Sequence, residues 1–184
     1  MQKNIAVHLA EGFEEIEAVS IIDVLRRAEF DVTVVSVTGK VEVTGKHRVT
    51  VTADRLFEDV DYEQTDIIVL PGGMPGAKNL KEHKGLREKI LDFHKEGKLL
   101  GAICAAPMVF GDLGILKNKN ATCFPGFEDE LKGANVTGNE VEVDGKIITG
   151  KGAGVAVKFA LQIVELLKNK KIADKLAEKM IATR

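Results

Sequence analysis

Residues 99–110 read LLGAICAAPMVF, and the point where that pattern changes character decides the fold. Leu99, Leu100, Ala102 and Ile103 make an unbroken apolar run, the mark of a strand buried on both faces of a parallel sheet. The run ends on Cys104. Ala105, Ala106, Pro107 and Met108 to Leu113 then suit a helix whose first turn accepts proline and which Gly114 stops. A thiol is therefore expected at a strand-to-helix elbow whose small neighbours, Gly101, Ala102, Ala105 and Ala106, let the turn close tightly. The mechanics are those of a nucleophile elbow, although the G-x-S-x-G pattern is absent. A helix N-terminus favours negative charge, so this placement predicts a lowered thiol pKa. Free cysteine is also a common small core hydrophobe, and the stretch alone leaves both readings open.

Upstream, Asp66 to Leu70 is another buried strand, running straight into Pro71-Gly72-Gly73-Met74-Pro75-Gly76. Such a glycine-dense loop exposes backbone N–H groups that can hold an anion or an oxyanion, and it is equally an ordinary turn. Asn4 to Leu9 reads as the first strand, with a turn over residues 10–13 and a helix from Glu14 to Ala28. On a helical wheel Ala18, Ile21, Ile22, Val24, Leu25 and Ala28 share one arc, and Glu17 falls inside it. A carboxyl facing the core loses hydration, has a raised pKa and needs a polar partner, which favours a functional Glu17. Glu14 and Glu15 read as complements to the helix dipole.

The remaining chain alternates in the same way. Asp31 to Val37 is a strand, Val41–Val43 and Arg48–Thr52 a hairpin, Ala53 to Asp61 a loop or short helix, and Gly85 to Glu96 a crossover helix ended by Gly97. Ala121 to Phe124 reads as a short strand. Val141–Val143 and Lys146–Thr149 form a hairpin on Asp144-Gly145, and helices follow over Val155–Lys168 and Lys171–Ala182. Strands alternating with helices imply a parallel, doubly wound sheet that binds ligands beyond the carboxyl ends of its strands. The turn before Glu17, the loop at 71–76 and Cys104 all lie at those ends.

Composition narrows the function. A chain of 184 residues, 45% hydrophobic and 29% charged, fits one soluble domain spanning residues 1–184. The net charge of −2 without a basic patch argues against nucleic acid as a partner. Cys104 and Cys123 lack C-x-x-C spacing, and no signal peptide or membrane span is legible, so a reducing cytoplasm is expected. Ligand-type residues show no metal-binding spacing, and neither G-x-G-x-x-G nor a Walker lysine is present. The four histidines, His8, His47, His83 and His94, occupy positions suited to packing or solvent, which disfavours a Cys-His hydrolase.

The segments LAEGFEEIEAV, IVLPGGMPGAKNL, GAICAAPMVF and TGKGAGVAVKFALQIVELL, in this order and covering nearly the whole chain, closely resemble the ThiJ/PfpI superfamily in its protein-deglycase branch. The resemblance implies an α/β fold of flavodoxin-like type, a three-layer α/β/α sandwich with a mostly parallel sheet. It further implies a homodimer without cofactor or metal. The family's reactive cysteine falls on Cys104, its protonated glutamate on Glu17, and its oxyanion amides on Gly73 and Ala105. The implied activity is that of a glutathione-independent glyoxalase or deglycase, acting on small α-oxoaldehydes or their protein or nucleotide adducts. The alternative is a redox-sensing regulator or chaperone working through oxidation of Cys104; a cysteine hydrolase ranks third. The chain departs from the family pattern in three places. Phe124 stands where the human branch member has a histidine. Gly152-Ala153-Gly154-Val155 replaces G-P-G-T and removes a hydroxyl. Ala105 replaces the histidine that follows the cysteine in the protease-like branch.

Overall fold

The computed structural model describes residues 2–183. In chain order it carries β1 (Asn4–Leu9), α1 (Glu15–Arg27), β2 (Asp31–Ser36), β3 (Glu42–Thr44), β4 (Thr50–Thr52), β5 (Arg55–Leu56), β6 (Ile67–Leu70), α2 (Gly76–Glu82) and α3 (Lys84–Glu96). There follow β7 (Leu99–Ile103), α4 (Pro107–Asp112), β8 (Asn120–Ala121), β9 (Asn135–Val136), β10 (Val141–Asp144), β11 (Ile147–Gly150), α5 (Ala156–Leu167) and α6 (Lys170–Met180). Seven strands form one sheet in the order β10-β11-β7-β6-β1-β2-β5. Every pairing in it is parallel except the β10–β11 hairpin at one edge.

The central strands are apolar because both of their faces are covered. All four residues of β6 are buried, and alternate side chains go to opposite layers. Ile67 and Val69 join Ile21, Leu25, Ile103 and Phe159 in a core roofed by α1, α5 and α6. Ile68 and Leu70 join Leu80, Ile90, Leu100 and Phe110 in a second core beneath α2, α3 and α4. The result is the three-layer α/β/α, flavodoxin-like architecture. Among the described residues no helix is long and apolar enough to cross a membrane.

Several local expectations are corrected. Cys104 is not the last residue of its strand but lies one beyond it, and α4 begins only at Pro107. The segment after Met74-Pro75 forms α2, where the Gly and Pro content suggested loop alone. The strand read over residues 121–124 is only β8, which pairs with β9 apart from the main sheet and leaves Cys123 and Phe124 outside it. The hairpin β3–β4 likewise forms its own two-stranded sheet.

The fold positions a crevice. From β1 the chain moves outward to β2 and β5, whereas β6 lies on the other side of β1 and leads to β7 and β11. The strand order thus reverses between β1 and β6, and the carboxyl ends of β1, β6 and β7 meet there.

Candidate active site

Glu17 is fully buried in the first turn of α1. A ring of hydrogen bonds holds it. The Gly72 N–H donates to Glu17 Oε2 at 2.7 Å, the Glu14 N–H donates to the Gly72 carbonyl at 2.9 Å, and the Glu17 N–H donates to Glu14 Oε2 at 2.7 Å. Helix α1 and the loop after β6 are therefore locked to one another through the acid. Its second oxygen, Oε1, is buried without a hydrogen-bond partner. Burial pushes the Glu17 carboxyl up to about 7, with the Glu14 charge adding to the rise, while hydrogen bonding from Cys104 and the Gly72 N–H opposes it.

Residue 72 has to be glycine. A Cβ there would lie 2.6 Å from Cys104 Cβ and 2.8 Å from Glu17 Oε2. The missing side chain is the space in which acid and thiol approach each other.

Cys104 sits at φ 64°, in the left-handed region that costs a non-glycine residue roughly 1–2 kcal/mol. Both of its backbone polar groups are tied down: its N–H donates to the Gly150 carbonyl and its carbonyl accepts from the Phe124 N–H, each at 2.8 Å. The side chain is partly exposed. The N–H groups of Gly73 and Ala105 act on the sulfur in the sense that favours its anion. They are outweighed. Burial first, and then the Glu17 charge and hydrogen bond, push the Cys104 thiol up to about 12, which overturns the lowered pKa expected from a helix N-terminus. The physical reason is that the short α4 starts three residues later, while a carboxyl stands beside the sulfur. Cys104 and Glu17 act on each other's protonation, so they release protons as a pair.

The structure brings together all four residues singled out in the sequence, Cys104, Glu17, Gly73 and Ala105, from the turn after β7, from α1 and from the loop after β6. The histidines have other work. His8 is buried with Nε2 2.8 Å from the Tyr62 hydroxyl, and burial drives its pKa down to about 3. His83 Nδ1 accepts from the Leu86 N–H at the start of α3.

Glu14 and Glu15 do more than face a helix dipole. Glu14 is the N-cap of α1. Glu15 clamps the β3–β4 hairpin, accepting the backbone N–H groups of His47 and Val49 and lying 2.9 Å from His47 Nδ1. Burial works against charge on Glu15, but these donors outweigh it and hold the carboxyl below the usual range. Glu14, Glu15 and His47 thus bring one ligand-type atom each within 4.8 Å of the others, a grouping invisible in sequence spacing because His47 comes from a distant hairpin. Gly45 permits the clamp, since a Cβ there would strike the Glu15 carboxyl at 2.4 Å.

The DJ-1/PfpI family pattern matches residues 3–166. The chain belongs to the DJ-1/PfpI family. It is 40% identical over 181 residues to Protein DJ-1 homolog B of Arabidopsis thaliana, covering 97% of this chain but 41% of that protein. It therefore spans about two fifths of the length of that plant relative. A deglycase of Pyrococcus abyssi is 33% identical over 165 residues, 86% of this chain and 96% of its own. Among solved structures, oxidized DJ-1 of Toxoplasma gondii superimposes with a TM-score of 0.95 at 38% identity, over 99% of this chain and 100% of that one.

Within this DJ-1/PfpI protein the departures noted above have a definite setting. Phe124 joins the site through its N–H on the Cys104 carbonyl, and its side chain leans on Gly152. Residues Ala153–Val155 form a short 3-10 turn leading into α5.

Proposed function

We propose that this DJ-1/PfpI protein is a cofactor-free glyoxalase or deglycase that acts on small α-oxoaldehydes or their adducts. The observation that carries the reading is the buried carboxyl of Glu17, half-ionised near pH 7 with one oxygen unpartnered, beside a conformationally strained thiol flanked by two amide donors. An acid poised at the working pH can both take and give a proton.

In the first step the ionised Glu17 removes the Cys104 proton as sulfur bonds to the aldehyde carbon. The carbonyl π bond opens to an oxyanion held by the Gly73 and Ala105 N–H groups, and the proton on Glu17 then neutralises it as a hemithioacetal. Glu17, ionised again, next takes the proton from that carbon and returns it to the neighbouring ketone carbon, while the hydroxyl proton passes from the first carbon's oxygen to the second's. The first carbon is oxidised and the second reduced, leaving a 2-hydroxy thioester on Cys104. Water cleaves the thioester to a 2-hydroxy acid and regenerates the thiol. No external oxidant or reductant enters. For a hemiaminal or hemithioacetal adduct, sulfur displaces the amine or thiol, whose bond to that carbon breaks as it leaves with the Cys104 proton, and the same hemithioacetal results.

Lactate formation from methylglyoxal without glutathione is the test. Cys104→Ala should abolish turnover and Glu17→Gln should lower kcat by roughly 10²–10⁴-fold; wild-type turnover in Cys104→Ala would end the mechanism. We also propose a homodimer, checked by sedimentation, and a cytoplasmic location, checked by fractionation.

The second reading, a redox sensor, draws support from the Toxoplasma relative, which is described as oxidized. Two equivalents of peroxide would carry a Cys104 thiolate to the sulfinate, releasing two waters, with protonated Glu17 free to donate from Oε1. Mass spectrometry after mild peroxide treatment should find two added oxygens at Cys104 and not at Cys123. Equal oxidation of the two cysteines would remove this reading.

A further inference from the structure

Phe124 is a large apolar side chain left 47% exposed on a residue whose backbone is bonded to that of the reactive cysteine. Its backbone is tied down. The Phe124 N–H donates to the Cys104 carbonyl at 2.8 Å, and the Cys104 N–H in turn reaches the Gly150 carbonyl, so three chain segments are fastened to one another at the thiol. The ring rests against the loop that follows β11: a Cβ at Gly152 would lie 3.2 Å from Phe124 Cδ2 and 3.8 Å from Cε2. Glycine there lets one side of the ring approach the backbone closely, while much of the side chain stays exposed to solvent. Cys123, the preceding residue, is buried, which anchors the ring at its root. A fixed aromatic surface next to a nucleophile loses little entropy when a second flat group stacks on it, and aromatic pairs gain beyond the area they bury.

We propose that Phe124 sets the specificity of the site toward electrophiles that carry an aromatic or bulky apolar group on the carbon next to the aldehyde, and against those that carry a methyl. The proposal rests on the glyoxalase reading for its substrate class. It adds to that reading which α-oxoaldehydes are preferred and by which residue. The chemistry is unchanged: sulfur bonds to the aldehyde carbon, and the substituent beyond the ketone lies on the ring. Phenylglyoxal, which would yield mandelate, is the probe for an aromatic substituent, and methylglyoxal, which would yield lactate, the probe for its absence.

The experiment compares the ratio of kcat/KM for phenylglyoxal to that for methylglyoxal in the wild type, Phe124→Ala and Phe124→Tyr. Loss of one aromatic contact of this kind should lower the ratio about tenfold in Phe124→Ala. Phe124→Tyr, which keeps the ring, should restore it. A ratio unchanged in Phe124→Ala overturns the proposal, as does a Tyr variant no better than Ala. A second measurement keeps this outcome separate from the fate of the glyoxalase reading. Alkylation of Cys104 by iodoacetanilide and by iodoacetamide, followed at the Cys104 peptide by mass spectrometry, needs no turnover. The same fall in the aromatic-to-small rate ratio on Phe124→Ala should appear even if neither aldehyde is consumed, which would end the glyoxalase reading and leave the ring's selectivity standing. An alkylation ratio that does not move refutes that selectivity, whatever the aldehyde kinetics show.

Discussion

At the scale of single residues, the Glu17 carboxyl is the costly group. Its pKa is raised from 4.5 to about 7, so the unfolded chain gives up this proton first and folding is disfavoured as pH climbs through that interval. The sign follows directly: the stability due to the neutral acid is complete below 4.5 and has gone above about 7. Glu17→Gln removes the titration. Between pH 4.5 and 8 the variant should therefore gain about 3 kcal/mol relative to wild type, read from urea midpoints at a series of pH values. The proposed mechanism supplies the opposite pressure, because in it the ionised form acts as the base. The kcat/KM for methylglyoxal should accordingly fall below pH 7, with an apparent pKa near 7, and a flat profile from pH 5 to 8 would exclude Glu17 as that base. Glu17 was legible in the sequence because an acid inside an apolar arc violates the periodicity that places its neighbours. Glu15 was not. Its partner is the hairpin residue His47, and no local pattern distinguishes an acid that clamps a distant turn from one that faces a helix dipole.

At the scale of elements, the loop after β6 and the turn after β7 build the site by close backbone approach. Gly72→Ala should be severe for its size, because the new methyl would meet Cys104 Cβ and Glu17 Oε2 well inside contact distance. We expect a loss of about 1–3 kcal/mol in stability together with near-complete loss of turnover, measured by urea unfolding and lactate formation on the same preparation. Gly39→Ala, which would meet nothing within 4 Å, is a comparison free of steric contact, although its positive φ also carries strain. The apolar runs that make β1, β6 and β7 announced these elements through burial on both faces. Their ends were harder to place. Helix α2 was hidden because Pro75 and Gly76 read as turn residues, although proline ahead of a first turn is compatible with helix. The strand expected at residues 121–124 shrank to β8 because the Phe124 N–H is used on the Cys104 carbonyl instead of in a ladder.

At the scale of the whole molecule, one sheet separates two cores, and the thiol sits above the edge of one of them. Phe159 of α5 is fully buried, and a Cβ at Gly101 would lie 3.2 Å from its ring and one at Gly150 2.9 Å, so small residues in β7 and β11 make room for it. Phe159→Ala should cost about 3–5 kcal/mol, read by urea unfolding, because the cavity would open beneath two strands that cannot close over it independently. Activity should decline with it, since Gly150 also receives the Cys104 N–H. Periodicity revealed both cores; it was silent on the reach from Gly150 to Cys104. That reach has a consequence during synthesis. The cysteine leaves the ribosome ahead of the residue that fixes its backbone, by roughly two to nine seconds at about 5–20 residues per second. For that interval the nascent chain carries an ordinary flexible thiol, and the proposed reactive centre can be completed only once β11, the last strand of the sheet, has been translated and docked.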